Sequence, residues 1–146
     1  MVTIRQLGAS DAGPWAKLRA ALWPETDKGE LEGEITMILG RSDHVAFGAF
    51  QGEMLIGFAE VSIRPYGDGC ETAPVGWLEG IFVGPEHREK QLGRLLVNAA
   101  EEWSRARGLT ELGSDVHLDN VVSLAAHAKW GFAQTKTVVM FRKKLT

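Results

Sequence analysis

Apolar and polar positions alternate along the chain in a way that divides it into short strands and helices. Val2 and Ile4 mark a first strand. Ser10 and Asp11, side chains that favour helix N-caps, precede Trp15, Leu18, Ala21 and Leu22 at helical spacing, and Pro24 closes that helix. Ile35, Ile38 and Leu39 supply the apolar edge of a second short helix. Val45 to Phe50 and Met54 to Ile63 are apolar runs joined by Gln51-Gly52-Glu53, which predicts an antiparallel hairpin. The next 13 residues, RPYGDGCETAPVG, hold two prolines and three glycines and read as a loop whose length suits a working role.

Trp77 to Val83 is a further apolar run, bounded by Gly84-Pro85. After a short charged loop, Leu92, Leu95, Leu96, Ala99, Trp103 and Ala106 recur at helical intervals as far as Gly108, and the first turn of that helix is expected to carry Arg88, Gly93 and Arg94. Glu111 to Ser114 reads as a short strand and Asp115 to Asn120 as a polar exit from it. Val122, Leu124, Ala125, Ala128 and Lys129 fit a helix that stops at Trp130-Gly131, with the glycine past its end. Thr135 to Leu145 is expected to form a final strand. The pattern predicts an α/β fold with a mixed sheet of about six or seven strands and helices on both faces.

Composition narrows the function. With 146 residues, 45% of them hydrophobic, residues 1–146 are expected to form a single domain with one core. A net charge of −3 argues against a nucleic-acid partner, which would require a basic face, and favours cationic ligands. A lone cysteine, Cys70, excludes an internal disulfide and a cysteine-rich zinc site. No apolar stretch is long enough to span a membrane and the N-terminus has no signal-like run, so the expected location is cytoplasmic. Five acids between Glu25 and Glu34 against the single Lys28 read as a solvated helix face.

The strand–loop–helix from Trp77 to Leu96 reads either as an ordinary strand-to-helix turn with a solvated charge cluster or as an anion cradle, in which backbone N–H groups and the positive end of a helix dipole would face a phosphate. Arg88-Glu89-Lys90-Gln91-Leu92-Gly93 after Val83-Gly84-Pro85 resembles the acetyl-coenzyme A loop of the GNAT N-acetyltransferases, Arg/Gln-x-x-Gly-x-Gly/Ala. The departure is Gln91, where that family has its first glycine. Asn120, followed eleven residues later by Gly131-Phe132, matches a second GNAT pattern in which the asparagine touches the coenzyme and a tyrosine protonates the leaving thiolate; here His127 holds the tyrosine position. Leu78-Glu79-Gly80-Ile81, Ser62-Ile63-Arg64, Tyr66, Ser114-Asp115 and Leu22-Trp23-Pro24 resemble, more narrowly, the aminoglycoside 6′-N-acetyltransferases over nearly the whole chain. Lys136 stands where many of those enzymes have an acid.

The resemblance implies a GNAT fold and direct attack of an aminoglycoside 6′-amine on acetyl-coenzyme A in a ternary complex, conferring antibiotic resistance. It implies a homodimer, which apolar edge strands near the C-terminus would permit. Asp115, Glu79 and His127 are the catalytic candidates, and Trp23, Tyr66, Glu71, Glu79 and Asp115 the substrate contacts. Ile81, Phe82 and Val83 would pair with the pantetheine arm as an added strand does, while Arg88, Glu89, Lys90, Gln91, Leu92, Gly93, Arg94 and Asn120 would hold the rest of the coenzyme. The chemistry itself requires a proton acceptor near the amine and a proton donor for the sulfur. A multiply charged acceptor requires several carboxylates.

Plainer readings stand beside these. Glu79 could be a strand charge paired with an arginine, Asp115 a cap or turn residue, His127 structural and Trp23 core. Asp115, His117 and Asp119 lack the fourth ligand of a fixed metal site, so no metal is expected. The alternatives in function are a GNAT acting on a polyamine or protein N-terminus, and a non-catalytic drug-sequestering relative.

Overall fold

The computed structural model describes the backbone of residues 1–146 and every side chain except those of Glu89 and Lys90. It resolves into two compact units, residues 1–114 and residues 115–146, each described by itself.

The first unit is built on the predicted hairpin. Strands β2 (His44–Gln51) and β3 (Met54–Arg64) are antiparallel across a turn at Gly52, whose φ of +62° a glycine adopts without steric cost. Strand β1 (Val2–Gln6) adds antiparallel to β2, β4 (Val75–Val83) antiparallel to β3, and β5 (Leu112–Ser114) parallel to β4. The sheet is therefore mixed and mostly antiparallel, in the order β1-β2-β3-β4-β5.

Residues 55–62 of β3 are all buried, which requires cover on both faces. Helices α1 (Ala12–Leu22) and α2 (Lys28–Gly40) join Phe58, Ala46 and Phe50 in one apolar cluster through Trp15, Ile35 and Ile38. Helix α3 (Leu92–Ala106) packs on β2, β3 and β4 and buries Leu92, Leu96, Val97, Ala100 and Trp103. Each large side chain buried this way stabilises the fold by about 1.5–3 kcal/mol. Local chemistry sets the ends: the Asp27 carboxylate accepts from the N–H groups of Gly29 and Glu30 to start α2, and α1 stops at Leu22, two residues before Pro24. Asp11 caps differently from expectation. Its carboxylate accepts from Gly8 N–H and from Arg5 rather than from the helix it precedes.

The second unit holds α4 (Val121–Lys129), which ends as predicted with Gly131 at φ +92°. Residues 132–146 form no regular secondary structure, so the strand expected over residues 135–145 is absent and the sheet has five strands rather than six or seven. Val138, Val139, Met140 and Phe141 are 59–91% exposed. Alternation records strand propensity, but a strand also requires a ladder partner, and among the described residues this segment has none.

Candidate active site

A β-bulge interrupts the pairing of β3 with β4. Glu60 of β3 pairs with Gly80, and the next residue, Val61, pairs with Leu78, so Glu79 is the extra residue on β4. A bulge bends its strand and re-aims the inserted side chain. Here that side chain meets two residues of β3. The Glu79 Oε2 atom accepts from Ser62 Oγ at 2.6 Å and from Arg64 Nε at 2.9 Å, and its Oε1 atom accepts from Arg64 Nη2 at 2.7 Å. The plain reading of Glu79 as a strand charge paired with an arginine therefore describes its contacts correctly.

Beside the bulge, a Cβ placed on Gly80 would lie 2.6 Å from the Trp23 ring, so only glycine lets that indole pack against β4. Trp23 thus forms a wall at the end of α1, edge-on to Phe58, and is neither fully core nor fully open. A groove of about 300 Å³ is lined by Trp23, Glu34, His44, Glu60, Glu79 and Arg19. Glu34 belongs to the acidic run expected to be a solvated face; it is exposed, as expected, and it also lines the groove, accepting from Arg19 Nη1 at 3.2 Å.

Beneath the groove Arg19 and Glu60, each 3% exposed, form a two-pronged ion pair at 2.7 and 3.0 Å, and Trp15 Nε1 donates to the same carboxylate at 2.8 Å. Burial pulls the Arg19 guanidinium down, but the Glu60 and Glu34 carboxylates outweigh it and hold it above its ordinary value. The sequence reading missed this pair. Its signal was Glu60, the one charge inside the run from Met54 to Ile63.

The opposite edge of β4 is open beyond the bulge. β5 pairs only with Gly76, Trp77 and Leu78, so Glu79 to Val83 have no strand partner on that side among the described residues. Ile81, Phe82 and Val83, the residues expected to pair with the pantetheine arm, lie on this edge. Arg88 lies in a 3₁₀ segment (Pro85–Lys90), not in the first turn of α3 as expected. Its Nε donates to the Val83 carbonyl at 2.9 Å.

Gln91 precedes α3 with φ +57° and ψ +25°, so it takes the left-handed conformation that the absent glycine would have supplied. Gly93 and the exposed Arg94 fall in the helix's first turn, while the Leu92 side chain is 1% exposed and belongs to the core, leaving only its backbone to a ligand. The side chains of Glu89 and Lys90, also expected at the coenzyme, lie outside the described residues. An unpaired strand edge, a left-handed turn and the start of a 15-residue helix fit acetyl-coenzyme A, whose pantetheine offers strand-like amides and whose pyrophosphate suits a helix N-terminus.

In the loop between β3 and β4, Tyr66 is 69% exposed and its hydroxyl donates to Asp68 at 2.9 Å, a bond that holds the phenol above its ordinary range. Glu71 is exposed, and its backbone N–H donates to Glu111 at 2.9 Å. Glu111 also takes the Thr72 N–H and hydroxyl, which, with the Glu71 N–H, hold its carboxyl below the usual carboxylate range. This strap from the residue before β5 was not anticipated, because the 40-residue separation of its ends leaves no local pattern.

In the second unit, Asp115 directly follows Ser114, the last residue of β5. Asn120 Oδ1 accepts from Ser123 N–H at 3.1 Å, so that side chain caps α4. The His127 ring stands 5.2 Å from that of Trp130 and 5.0 Å from that of Phe132. Among the described residues no three His, Cys, Asp or Glu side chains form a metal-binding group, and no helix is long and apolar enough to cross a membrane.

An open edge on a bulged β4, running through a left-handed turn into α3, is the cofactor-binding architecture of an acyltransferase, and residues 14–132 match the Acetyltransferase (GNAT) family. The chain belongs to that family. Within it, the chain is 43% identical over 146 residues to an aminoglycoside N(6′)-acetyltransferase type 1 of Stenotrophomonas maltophilia, covering 98% of this chain and 94% of the relative. Its fold is similar to the aminoglycoside antibiotic 6′-N-acetyltransferase AAC(6′)-Ih of Acinetobacter baumannii, with a TM-score of 0.94, 34% identity and full coverage of both chains. It is likewise similar to AAC(6′)-Iy in complex with the bisubstrate analogue CoA-S-monomethyl-acetylneamine, at a TM-score of 0.96, 34% identity and 99% coverage of both chains.

Proposed function

We propose that residues 1–146 work as one acetyltransferase domain that moves the acetyl group of acetyl-coenzyme A to the 6′-amine of an aminoglycoside, by direct attack in a ternary complex, and so confers resistance. The observation that carries this reading is full-length similarity to aminoglycoside N(6′)-acetyltransferases, 43% identity over 98% of the chain. The carboxylate-rich groove beside β4 supports it, since an aminoglycoside is a polycation and charge-assisted hydrogen bonds to ammonium groups are its natural means of recognition.

Acetyl-coenzyme A, when bound, supplies the acetyl group as a thioester. Ile81, Phe82 and Val83 would hold its pantetheine, and the turn at Gln91 and Gly93, with Arg88 and Arg94, its phosphates. Asn120 is assigned to the coenzyme through its amide N–H₂, since its Oδ1 accepts from Ser123 N–H. Trp23 and Tyr66 are assigned to sugar rings and Glu71 to an ammonium group; of these Trp23 lines the groove, while Tyr66 and Glu71 belong to the loop between β3 and β4. Asp115 is assigned to the reacting amine, directly or through water, with Glu79 holding a neighbouring N–H. His127 is assigned to proton return at the sulfur.

The partner in solution is a second copy of the chain. A run of four apolar residues, Val138 to Phe141, each more than half exposed, supports a homodimer, because exposed apolar surface of that kind is covered in stable proteins. Sedimentation at micromolar concentration tests this, with a monomer the contrary result.

Thiol release from acetyl-coenzyme A in the presence of kanamycin, spermidine or a peptide tests the substrate. Turnover with kanamycin is expected; turnover confined to spermidine or peptide would assign a different acceptor. A drug with a 6′-hydroxyl should bind without being acetylated. Asp115→Asn should lower kcat/KM for a 6′-amino substrate by about 10²–10⁴-fold, and near-normal kcat/KM would remove Asp115 from the chemistry.

A further inference from the structure

We propose that Arg64 and Ser62 are positioning residues for acetyl transfer: they lock the Glu79 carboxylate in one orientation and leave one acceptor position, on Oε1, for an N–H of the substrate. The proposal rests on the reading of Glu79 as a contact to the cationic acceptor. It concerns how that contact is aimed.

Ser62 and Arg64 are alternate residues of β3 and share a face of the sheet. Ser62 pairs in register with Trp77, two residues before Glu79 on β4. The bulge brings the inserted Glu79 back over this pair of side chains. Arg64 is itself held, since its guanidinium carbon lies 4.4 Å from the centre of the Trp77 ring and Trp77 is 3% exposed. Ser62 is 2% exposed, so its hydroxyl is shielded from water and bonds to Glu79.

A carboxylate has about four acceptor positions. Oε2 takes two donors, Ser62 Oγ and Arg64 Nε, and is filled; among the described residues Oε1 takes Arg64 Nη2 alone. The remaining position belongs to a side chain that lines the groove beside Trp23 and His44. A planar guanidinium fixes both carboxylate oxygens at once, which a lysine would not.

Two effects of losing Arg64 oppose each other. A freed Glu79 carries an unshared negative charge, so a polycation binds it at least as well in the ground state. The same carboxylate swings among rotamers, and orientation lost at a reacting amine lowers turnover. Positioning therefore predicts a fall in kcat without a rise in KM.

The test is steady-state kinetics with acetyl-coenzyme A and kanamycin on Arg64→Gln, Ser62→Ala, Glu79→Gln and the Arg64→Gln/Glu79→Gln double variant. We expect kcat to fall about tenfold for Arg64→Gln and a few-fold for Ser62→Ala, with KM for kanamycin unchanged or lower. In the Glu79→Gln background, Arg64→Gln should have almost no further effect. A raised KM with unchanged kcat, or a loss of the same size with and without Glu79, overturns the proposal. Ser62→Ala removes a single oxygen atom and serves if Arg64→Gln does not fold. A second readout needs no turnover: the Arg64 Nε–H resonance should be protected from solvent exchange in the wild-type protein and lose that protection in Glu79→Gln. Protection without kanamycin turnover would refute the substrate and leave the lock standing, whereas an unprotected Nε–H refutes the lock itself.

Discussion

The Nδ1 atom of His127 lies 2.8 Å from the carbonyl oxygen of Ser123, one turn earlier on α4. A carbonyl oxygen only accepts, so Nδ1 carries the proton, and in the neutral ring Nε2 carries none. His127 can then donate from Nε2 only as the imidazolium. The tyrosine that GNAT enzymes have at this position needs no such second proton.

His127→Ala is accordingly expected to lower kcat by up to about tenfold with little change in KM for the aminoglycoside. Steady-state rates of the wild-type and variant proteins check this, and full activity in His127→Ala would mean that water protonates the sulfur.

Charge reversal at Arg94 should weaken acetyl-coenzyme A binding by about tenfold to a hundredfold, the equivalent of a lost charged contact of 1.5–3 kcal/mol. Reversal at Arg88 should do the same and also loosen the loop, because its Nε holds the Val83 carbonyl. Calorimetric titration of both variants with coenzyme A provides the measurement; unchanged affinity in both would place the phosphates elsewhere.

Gln91 holds a left-handed backbone at φ +57°, a conformation that costs an ordinary residue on the order of 1 kcal/mol. Gln91→Gly should relieve that strain while adding freedom to the unfolded chain, so its net change in stability should stay within about 1 kcal/mol. Coenzyme affinity should be retained or improved. Gln91→Val, β-branched and ill suited to positive φ, should cost about 1–3 kcal/mol and weaken coenzyme binding. Thermal melts and titrations of the pair check this.

Arg19→Ala should be the most damaging of these changes to stability. It leaves Glu60, 3% exposed, without its charge partner, and breaking a buried pair from one side costs about 3–5 kcal/mol. Arg19→Ala/Glu60→Gln should recover part of that loss. Denaturant melts of the single and double variants measure it.

Local elements and family membership were legible in the order of residues along the chain. Helices α1 to α4 follow from 3.6-residue spacing closed by Pro24, Gly108 and Gly131, and the β2–β3 hairpin from two apolar runs around Gly52. The coenzyme loop was legible because its chemistry is contiguous: a strand end, Pro85, Arg88 and Gly93 fall within eleven residues from Val83 to Gly93, and even the departure at Gln91 could be named with its conformational consequence. The features that were not legible are non-local. The register step that inserts Glu79, the Arg64 fork that takes its carboxylate, the Glu111 strap across 40 residues and the Arg19–Glu60 pair across 41 depend on which strands meet and in what register. Residues 135–145 show the same limit from the other side. Their alternation is that of a strand, yet a strand exists only through its neighbour, and in this chain no neighbour among the described residues supplies the ladder.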